Sequence, residues 1–312
     1  MSEGVLDGLS VELSPAFQGV MSISLVVMMF TVALGLRVAD FRAIGKEPRA
    51  ILGGAAAQLI GLPVLTFGLV LLLAPPPSVA LGMFVIASCP GGNVSNALTL
   101  FARGDTAYSV SLTAISSTTA AILTPVSILF WSNLYGPTAA LIHELDIGPL
   151  PFLVQTALLL GLPLAAGMLT AERFPEIAER LRIVMQPIAL AILVGLIVVG
   201  VWSNLDVILE GGSIIFPIVA VHNALAFLTG GLAAWLLSFP VGRIRSLTFE
   251  VGIQNTGLGL LILLAQFDGS GGAVAITALW GVWHIIAGFI LVLGFRSWDY
   301  LAKRRDQTAN GK

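Results

Sequence analysis

Charge is what this chain has least of. Only 10% of its 312 residues are Asp, Glu, Lys or Arg, against about 25% in an ordinary soluble domain. A soluble protein of this size needs far more polar surface to cover itself. The shortage excludes a soluble enzyme, a disordered chain and a nucleic-acid binder. One cysteine, Cys89, excludes an intrachain disulfide. There are three histidines, and no HExxH pair, Cys/His zinc spacing or Gly-x-Ser-x-Gly elbow. No lysine falls inside an apolar run, which excludes a retinal Schiff base. The first 15 residues carry Glu3, Asp7 and Glu12 but no Lys or Arg. That is the reverse of a signal's positive n-region, so the stretch reads as a short acidic tail and not a cleaved leader.

What the chain has is apolar length. Hydrophobic residues make up 57%, about two thirds once the 34 glycines are added, and mean hydropathy is +0.97. This is the composition of an all-α polytopic membrane protein. A spanning helix needs about 20 mostly apolar residues. Nine runs qualify: Phe17–Leu36, Ala50–Leu73, Val79–Phe101, Thr106–Phe130, Pro149–Ala171, Val184–Val201, Ile214–Ser238, Leu247–Phe267 and Ala273–Phe295. They are continuously apolar, without the alternation of an outer-membrane strand. Pro75-Pro76-Pro77 and the stretch from Trp131 to Gly148 read as outer connectors.

The basic residues set the topology. All 15 Lys and Arg fall in alternate loops or the C-terminal tail. Arg37, Arg42, Lys46 and Arg49 follow span 1, Arg103 follows span 3, and Arg173, Arg180 and Arg182 follow span 5. Arg243 and Arg245 follow span 7; Arg296, Lys303, Arg304, Arg305 and Lys312 follow span 9. The other loops carry acids such as Glu144, Asp146, Asp206, Glu210 and Asp268. A missed or extra span would scramble this split. The positive-inside rule then predicts an outer N-terminus and a cytoplasmic C-terminus, in the cell's plasma (inner) membrane.

Two spans are interrupted. Span 3 contains Ser88-Cys89-Pro90-Gly91-Gly92-Asn93-Val94-Ser95-Asn96, and span 8 contains Phe249-Glu250-Val251-Gly252-Ile253-Gln254-Asn255-Thr256-Gly257. Proline and paired glycines break a helix. Broken backbone at membrane depth must be buried in protein or line a cavity. Spans 3 and 8 run in opposite directions, and interrupted helices in corresponding positions of two halves mark the binding site of an inverted-repeat secondary transporter. Spans 1–4 pair with spans 6–9, leaving span 5 alone. This predicts a five-plus-five architecture that has lost its first helix.

Polar residues inside spans carry the chemistry. Glu250 is the one acid well inside a span, and an intramembrane carboxylate costs at least ~2.5–3.5 kcal/mol. It is either a protonated acid bonded to a neighbouring helix or a cation ligand. Its surroundings favour the ligand: Gln254 and Asn255 share its break, Ser95 and Asn96 lie on the other, and Gln58 is a lone amide in span 2. Ser109 and Thr113, at i and i+4, share one face of span 4. Alone, that pair would be ordinary helix packing. Carboxylate, amide, hydroxyl and freed carbonyl oxygens suit a hard cation such as sodium. His143 lies in an outer loop, His222 and Asn223 in span 7, and His284 in span 9. A single buried histidine reads as structural.

These residues resemble the bile acid:sodium symporter family. The likeness rests on Cys89-Pro90-Gly91-Gly92 with Ser95-Asn96, on Ala102-Arg103-Gly104, and on Ser109 with Thr113. It rests also on Glu250-Val251-Gly252-Ile253-Gln254-Asn255-Thr256-Gly257 and on Val282-Trp283-His284. The resemblance implies the nine-helix form of the family, one transporter unit over residues 1–312. It implies a panel of about 17–36, 149–171 and 184–201, and a core of about 50–130 and 214–295 in which the two broken helices cross. It implies a first sodium site from Ser95, Asn96, Ser109, Thr113 and Glu250. A second would use Gln58, Glu250, Gln254 and the carbonyls of Val251 and Ile253. Ile285, after His284, departs from the His-Asn pair of some bile-acid-binding members.

The expected activity is sodium-coupled symport of an organic anion, bile-acid-like or a small carboxylate, by alternating access, with no enzymatic step. Half-helix N-termini at the breaks would face the anion, with Asn93, Asn255 and His284 lining the cavity. The expected partners are sodium (two ions), a small organic anion and the lipid bilayer; no organic cofactor and no nucleic acid is implied. The alternatives are a proton-coupled or exchange transporter of an organic acid on the same fold, and a channel or non-transporting receptor.

Overall fold

The computed structural model describes residues 15–37, 45–203, 205–267 and 270–310. Glu3, Asp7, Glu12, Arg42, Asp268 and Lys312 lie outside them. The described chain is helical, and its extended pairing is an isolated antiparallel bridge between Gly91 and Gln254. The helices are α1 (Pro15–Ala33), α2 (Pro48–Leu73), α3 (Pro77–Ser88), α4 (Asn93–Phe101), α5 (Thr106–Leu134) and α6 (Gly136–Glu144). They continue with α7 (Pro149–Arg173), α8 (Pro175–Ser203), α9 (Leu205–Leu236), α10 (Val241–Gly252), α11 (Thr256–Gln266) and α12 (Gly271–Asn310).

Each of the nine apolar runs coincides with a helix or a broken pair. Five helices are long and apolar enough to cross a membrane unaided: Pro48–Leu73, Thr106–Leu134, Pro149–Arg173, Ile215–Leu236 and Gly271–Ala302. Spans 3 and 8 appear as the pairs α3–α4 and α10–α11, whose members are short because the breaks divide them. Polarity is turned inside out. Glu250, Gln58, His222 and Asn223 are fully buried, while Leu72 is 80% and Ile122 67% exposed. That is the pattern expected where the surrounding solvent is lipid.

The helices overrun their apolar cores. Arg49, Arg180, Arg182, Arg243, Arg245 and Arg296 lie within helices, not in loops. The Trp131–Gly148 stretch likewise contains the end of α5 and all of α6. Hydropathy marks where lipid begins; it does not mark where hydrogen-bonded backbone ends. Arg245 is nearly buried and bonds Asp299 Oδ2 at 3.0 Å and the Ala102 carbonyl at 2.8 Å. Arg243 donates to Asp105 at 3.1 Å and to Glu47. These contacts join the ends of α2, α4, α5 and α10 to α12.

Local chemistry places the irregular points. Cys89 precedes Pro90 and is extended (φ −74°, ψ 153°), as the residue before proline prefers. α5 starts at Asp105, whose carboxylate accepts the Tyr108 N–H at 3.0 Å, and α11 starts at Asn255, which accepts the Leu258 N–H at 3.1 Å. Both are ordinary N-caps. Residues Ala57–Gly61 of α2 form one π turn, closed by Leu62 N–H to the Ala57 carbonyl. Pro63 follows; its ring would meet the Leu59 carbonyl and it has no N–H to give. A widened turn absorbs that conflict, and Gln58 sits within it.

Candidate cation and substrate site

The two helix breaks lie against each other. Asn255 N–H donates to the Pro90 carbonyl at 2.9 Å, and Gly92 N–H to the Ile253 carbonyl at 3.4 Å. The open backbone of each break is thus partly satisfied by the other. Gly91 stands at the meeting point. A methyl group there would run into Glu250 Oε1 and approach Gln58 Nε2 at 3.1 Å. Only glycine lets the carboxylate and the amide close on that backbone.

Around Glu250 the first set of expected ligands converges. Ser95 Oγ donates to Glu250 Oε2 at 2.8 Å, and Thr113 Oγ1 to Oε1 at 2.8 Å. Ser109 Oγ lies 2.8 Å from Asn96 Oδ1 and 3.2 Å from Glu250 Oε2. Ser95 also lies 2.8 Å from the Gly92 carbonyl, and Thr99 Oγ1 donates to Ser109 Oγ at 3.3 Å. Each hydroxyl has one proton to share. Protons on Ser95, Thr99, Ser109 and Thr113 face both carboxylate oxygens, the Asn96 oxygen, the Gly92 carbonyl and the hydroxyl lone pairs. Acceptors outnumber donors in a buried space, which is the condition a hard cation relieves. The set holds a single carboxylate among neutral oxygens. No group of three or more His, Cys, Asp or Glu that could hold a metal occurs among the described residues. A monovalent ion suits this charge better than a divalent one.

The second set is gathered less completely. Gln58 is fully buried with both amide atoms unpaired, and Gln254 Oε1 is buried and unpaired. The carbonyls expected with them already accept hydrogen bonds: Val251 from Gln254 Nε2 at 2.8 Å, and Ile253 from Gly92 N–H. Each carbonyl retains a second lone pair. Asn223 Nδ2 donates to the Gly252 carbonyl at 2.8 Å and pins the end of α10.

The other face of the breaks lines a cavity of about 340 Å³. Asn93, Asn255 and His284 all line it, as do Gly91, Gly92, Gln254 and Thr256. α1 contributes Met28, Thr31 and Val32, and α8 contributes Gln186 and Ala189. Among the described residues, the N–H groups of Asn93, Val94 and Gly257, in the first turns of α4 and α11, have no backbone partner. His284 Nδ1 lies 2.7 Å from the Trp280 carbonyl. A carbonyl only accepts, so Nδ1 carries the proton and Nε2 is the free nitrogen.

Sequence reasoning missed Ser117, Thr31 and Gln186 on the cavity wall. Ser117 had a signal: it continues the i, i+4 series of Ser109 and Thr113. It missed Thr99 beside Ser109, and it gave Asn223 no role. The π turn at Gln58 was foreshadowed by Pro63 alone.

Comparison with known proteins places the chain in a family. The model of the Sodium Bile acid symporter family matches residues 22–211. "Uncharacterized sodium-dependent transporter YocS" of Bacillus subtilis is 30% identical over 270 residues, 86% of this chain and 81% of that protein. "Probable sodium/metabolite cotransporter BASS1, chloroplastic" of Arabidopsis thaliana is 30% identical over 86% of this chain and 65% of its own length. The human "Ileal sodium/bile acid cotransporter" is 28% identical over 82% of this chain and 72% of that one.

Proposed function

The chain belongs to the sodium bile acid symporter family, and from that premise we propose that it takes up a small organic anion by alternating access, driven by two sodium ions. Membership makes it an integral membrane, sodium-dependent transporter and not an enzyme, with Na⁺ as the coupling ion. In our reading the first ion sits among Ser95, Asn96, Ser109, Thr113 and Glu250. The second sits among Gln58, Glu250, Gln254 and the Val251 and Ile253 carbonyls. The anion occupies the cavity beside Asn93, Asn255 and His284. The panel (about 17–36, 149–171 and 184–201) supplies the opposite wall, and the core (about 50–130 and 214–295) moves against it. The protein acts in the plasma membrane with its N-terminus outside and its C-terminus in the cytoplasm.

One observation carries this reading. The same two breaks present an acceptor-rich pocket on one face and the cavity on the other, with Gly91 and Gln254 facing both. Proton coupling through Glu250 is the competitor. A proton needs one acceptor, whereas Glu250 shares its pocket with amide and hydroxyl oxygens from α4 and α5. The test is uptake of labelled organic anions into proteoliposomes under an inward sodium gradient, beside a pH gradient in sodium-free buffer. Glu250→Ala should abolish sodium-driven uptake. Sodium dependence retained in that variant, or uptake driven by pH alone, would refute the assignment.

A further inference from the structure

The end of α10 is held by a residue outside the two breaks. The last carbonyls of a helix have no partner within it. Here three in a row accept from three different sources. Val251 takes Gln254 Nε2 at 2.8 Å, Gly252 takes Asn223 Nδ2 at 2.8 Å, and Ile253 takes Gly92 N–H at 3.4 Å. Gln254 and Gly92 belong to the breaks themselves. Asn223 belongs to α9.

α9 lies hard against this backbone. Asn223, Phe227 and Gly230, at i, i+4 and i+7, share one helix face. A methyl group on Gly252 would run into the Phe227 ring, and one on Gly230 would run into the Leu247 carbonyl. The Phe227 ring also meets Phe249 edge-on, with centroids 6.1 Å apart. Two close approaches along α10 leave α9 little room to shift, so Asn223 is a fixed point.

Asn223 is fully buried. A carbonyl only accepts, so the amide nitrogen must face Gly252, and Oδ1 is left without a partner among the described residues. A buried polar atom without a partner costs free energy. Packing alone gives no reason for an amide at this point; the bond it makes does.

That bond fixes one peptide. The unit between Gly252 and Ile253 is planar. Asn223 holds its carbonyl, and its N–H donates to the Phe249 carbonyl at 2.9 Å. The flanking peptides carry the Val251 and Ile253 carbonyls and hinge on it at the Cα atoms of Gly252 and Ile253. We infer that Asn223 is a positioning residue of the second sodium site: by tying this peptide to α9 it aims the Val251 and Ile253 carbonyls at the ion without touching it. The inference rests on the two-sodium reading above. The first site uses side-chain oxygens only and does not depend on this peptide.

The test is a sodium titration of thermal unfolding of the purified full chain, with potassium keeping ionic strength constant. Asn223→Leu keeps the volume and removes the donor. It is placed in two backgrounds: Thr113→Val, where the remaining sodium shift reports the second site, and Gln58→Ala, where it reports the first. In Thr113→Val it should raise the sodium needed for a given shift by about two- to ten-fold, the loss of one hydrogen bond. In Gln58→Ala it should leave that requirement unchanged. Asn223→Ser keeps a donor that can reach Gly252 through one water. It should recover part of the loss, and it decides between the same outcomes if the leucine variant does not fold. An equal fall of the unfolding temperature in sodium and potassium, with the sodium requirement unchanged in both backgrounds, makes Asn223 merely structural and overturns the inference. The same loss in both backgrounds also overturns it, since the residue would then act on the first site too. No sodium shift in the wild type refutes the two-sodium reading instead.

Discussion

In the proposed two-sodium reading Glu250 alone belongs to both sites, so Glu250→Gln separates them from every other source of stability. The substitution keeps shape and removes charge. A ligand that binds only the folded state stabilises it by about 2.7 kcal/mol at 100 times its dissociation constant. Two independent sodium sites then contribute about 5 kcal/mol at such a concentration. At about 2 °C per kcal/mol, the low end for domains of 150–250 residues, the wild type should melt roughly 10 °C higher in sodium than in potassium. In Glu250→Gln that difference should vanish. Its sodium-free curve should lie at or above the wild type, since the neutral amide removes a buried charge that no cation balances.

Single-site variants grade the response. Thr113→Val removes the 2.8 Å bond to Glu250 Oε1 and a first-site oxygen at constant volume. Gln58→Ala removes the buried amide of the second site. Each should keep about half of the sodium shift, roughly 5 °C by the same arithmetic. The assay is fluorescence-monitored unfolding in detergent across a sodium titration, with choline as a third salt. A full sodium shift in Glu250→Gln, or coincident sodium and potassium curves in the wild type, refutes the two-site reasoning.

Gly91→Ala pushes a methyl group onto the Glu250 carboxylate. It should cost about 1–3 kcal/mol as overpacking does and should remove the sodium response, read by the same unfolding assay. Asn255→Ala deletes the cap of α11; it should cost about 1 kcal/mol of stability and weaken anion binding while sodium still shifts the melting curve. At the basic end, the hydrogen bond from Arg243 holds the Glu47 carboxyl below the usual carboxylate range. A carboxyl lower in the folded than in the unfolded chain stabilises above its unfolded value and loses that contribution as pH falls through the folded one. Glu47→Gln should therefore flatten a small acid-side loss of stability, measured between pH 5 and pH 3, and leave the melting curve at pH 7 little changed because the pair is exposed.

Much of the fold is legible from where charge is absent. Apolar length marks the runs that the helices follow, and the Lys/Arg split is what the proposed orientation rests on. Pro90 with Gly91-Gly92 locates the break of span 3, whereas the break of span 8 is marked only by Gly252, Gly257 and the polar run Gln254-Asn255-Thr256. The contact between the breaks is not written locally. Nothing in Pro90–Gly92 specifies that its carbonyl meets Asn255, because that pairing depends on how α3 and α10 approach. Helix ends were misjudged for a related reason: Arg180 and Arg245 continue hydrogen-bonded turns that hydropathy treats as loop. Single residues such as Gln186 and Thr31 gave no pattern, because a cavity wall assembled from separate helices has no sequence period.

Coupling follows from what the breaks share. Sodium at the first site would draw Glu250 on α10 toward Ser95 on α4 and Ser109 and Thr113 on α5, fixing the register of one break against the other. That register also sets where Asn93, Gly257 and Asn255 stand on the cavity face. In the proposed reading an anion bound there would meet an ordered pair of half-helix N-termini when sodium is present and a looser pair when it is not. Linkage requires the converse: the anion must tighten sodium by the same factor. A sodium titration of the unfolding temperature, repeated with a saturating organic anion, should therefore shift to lower sodium by the factor by which sodium lowers the anion's own midpoint. Unequal factors would mean that the two faces of the crossing do not act as one element.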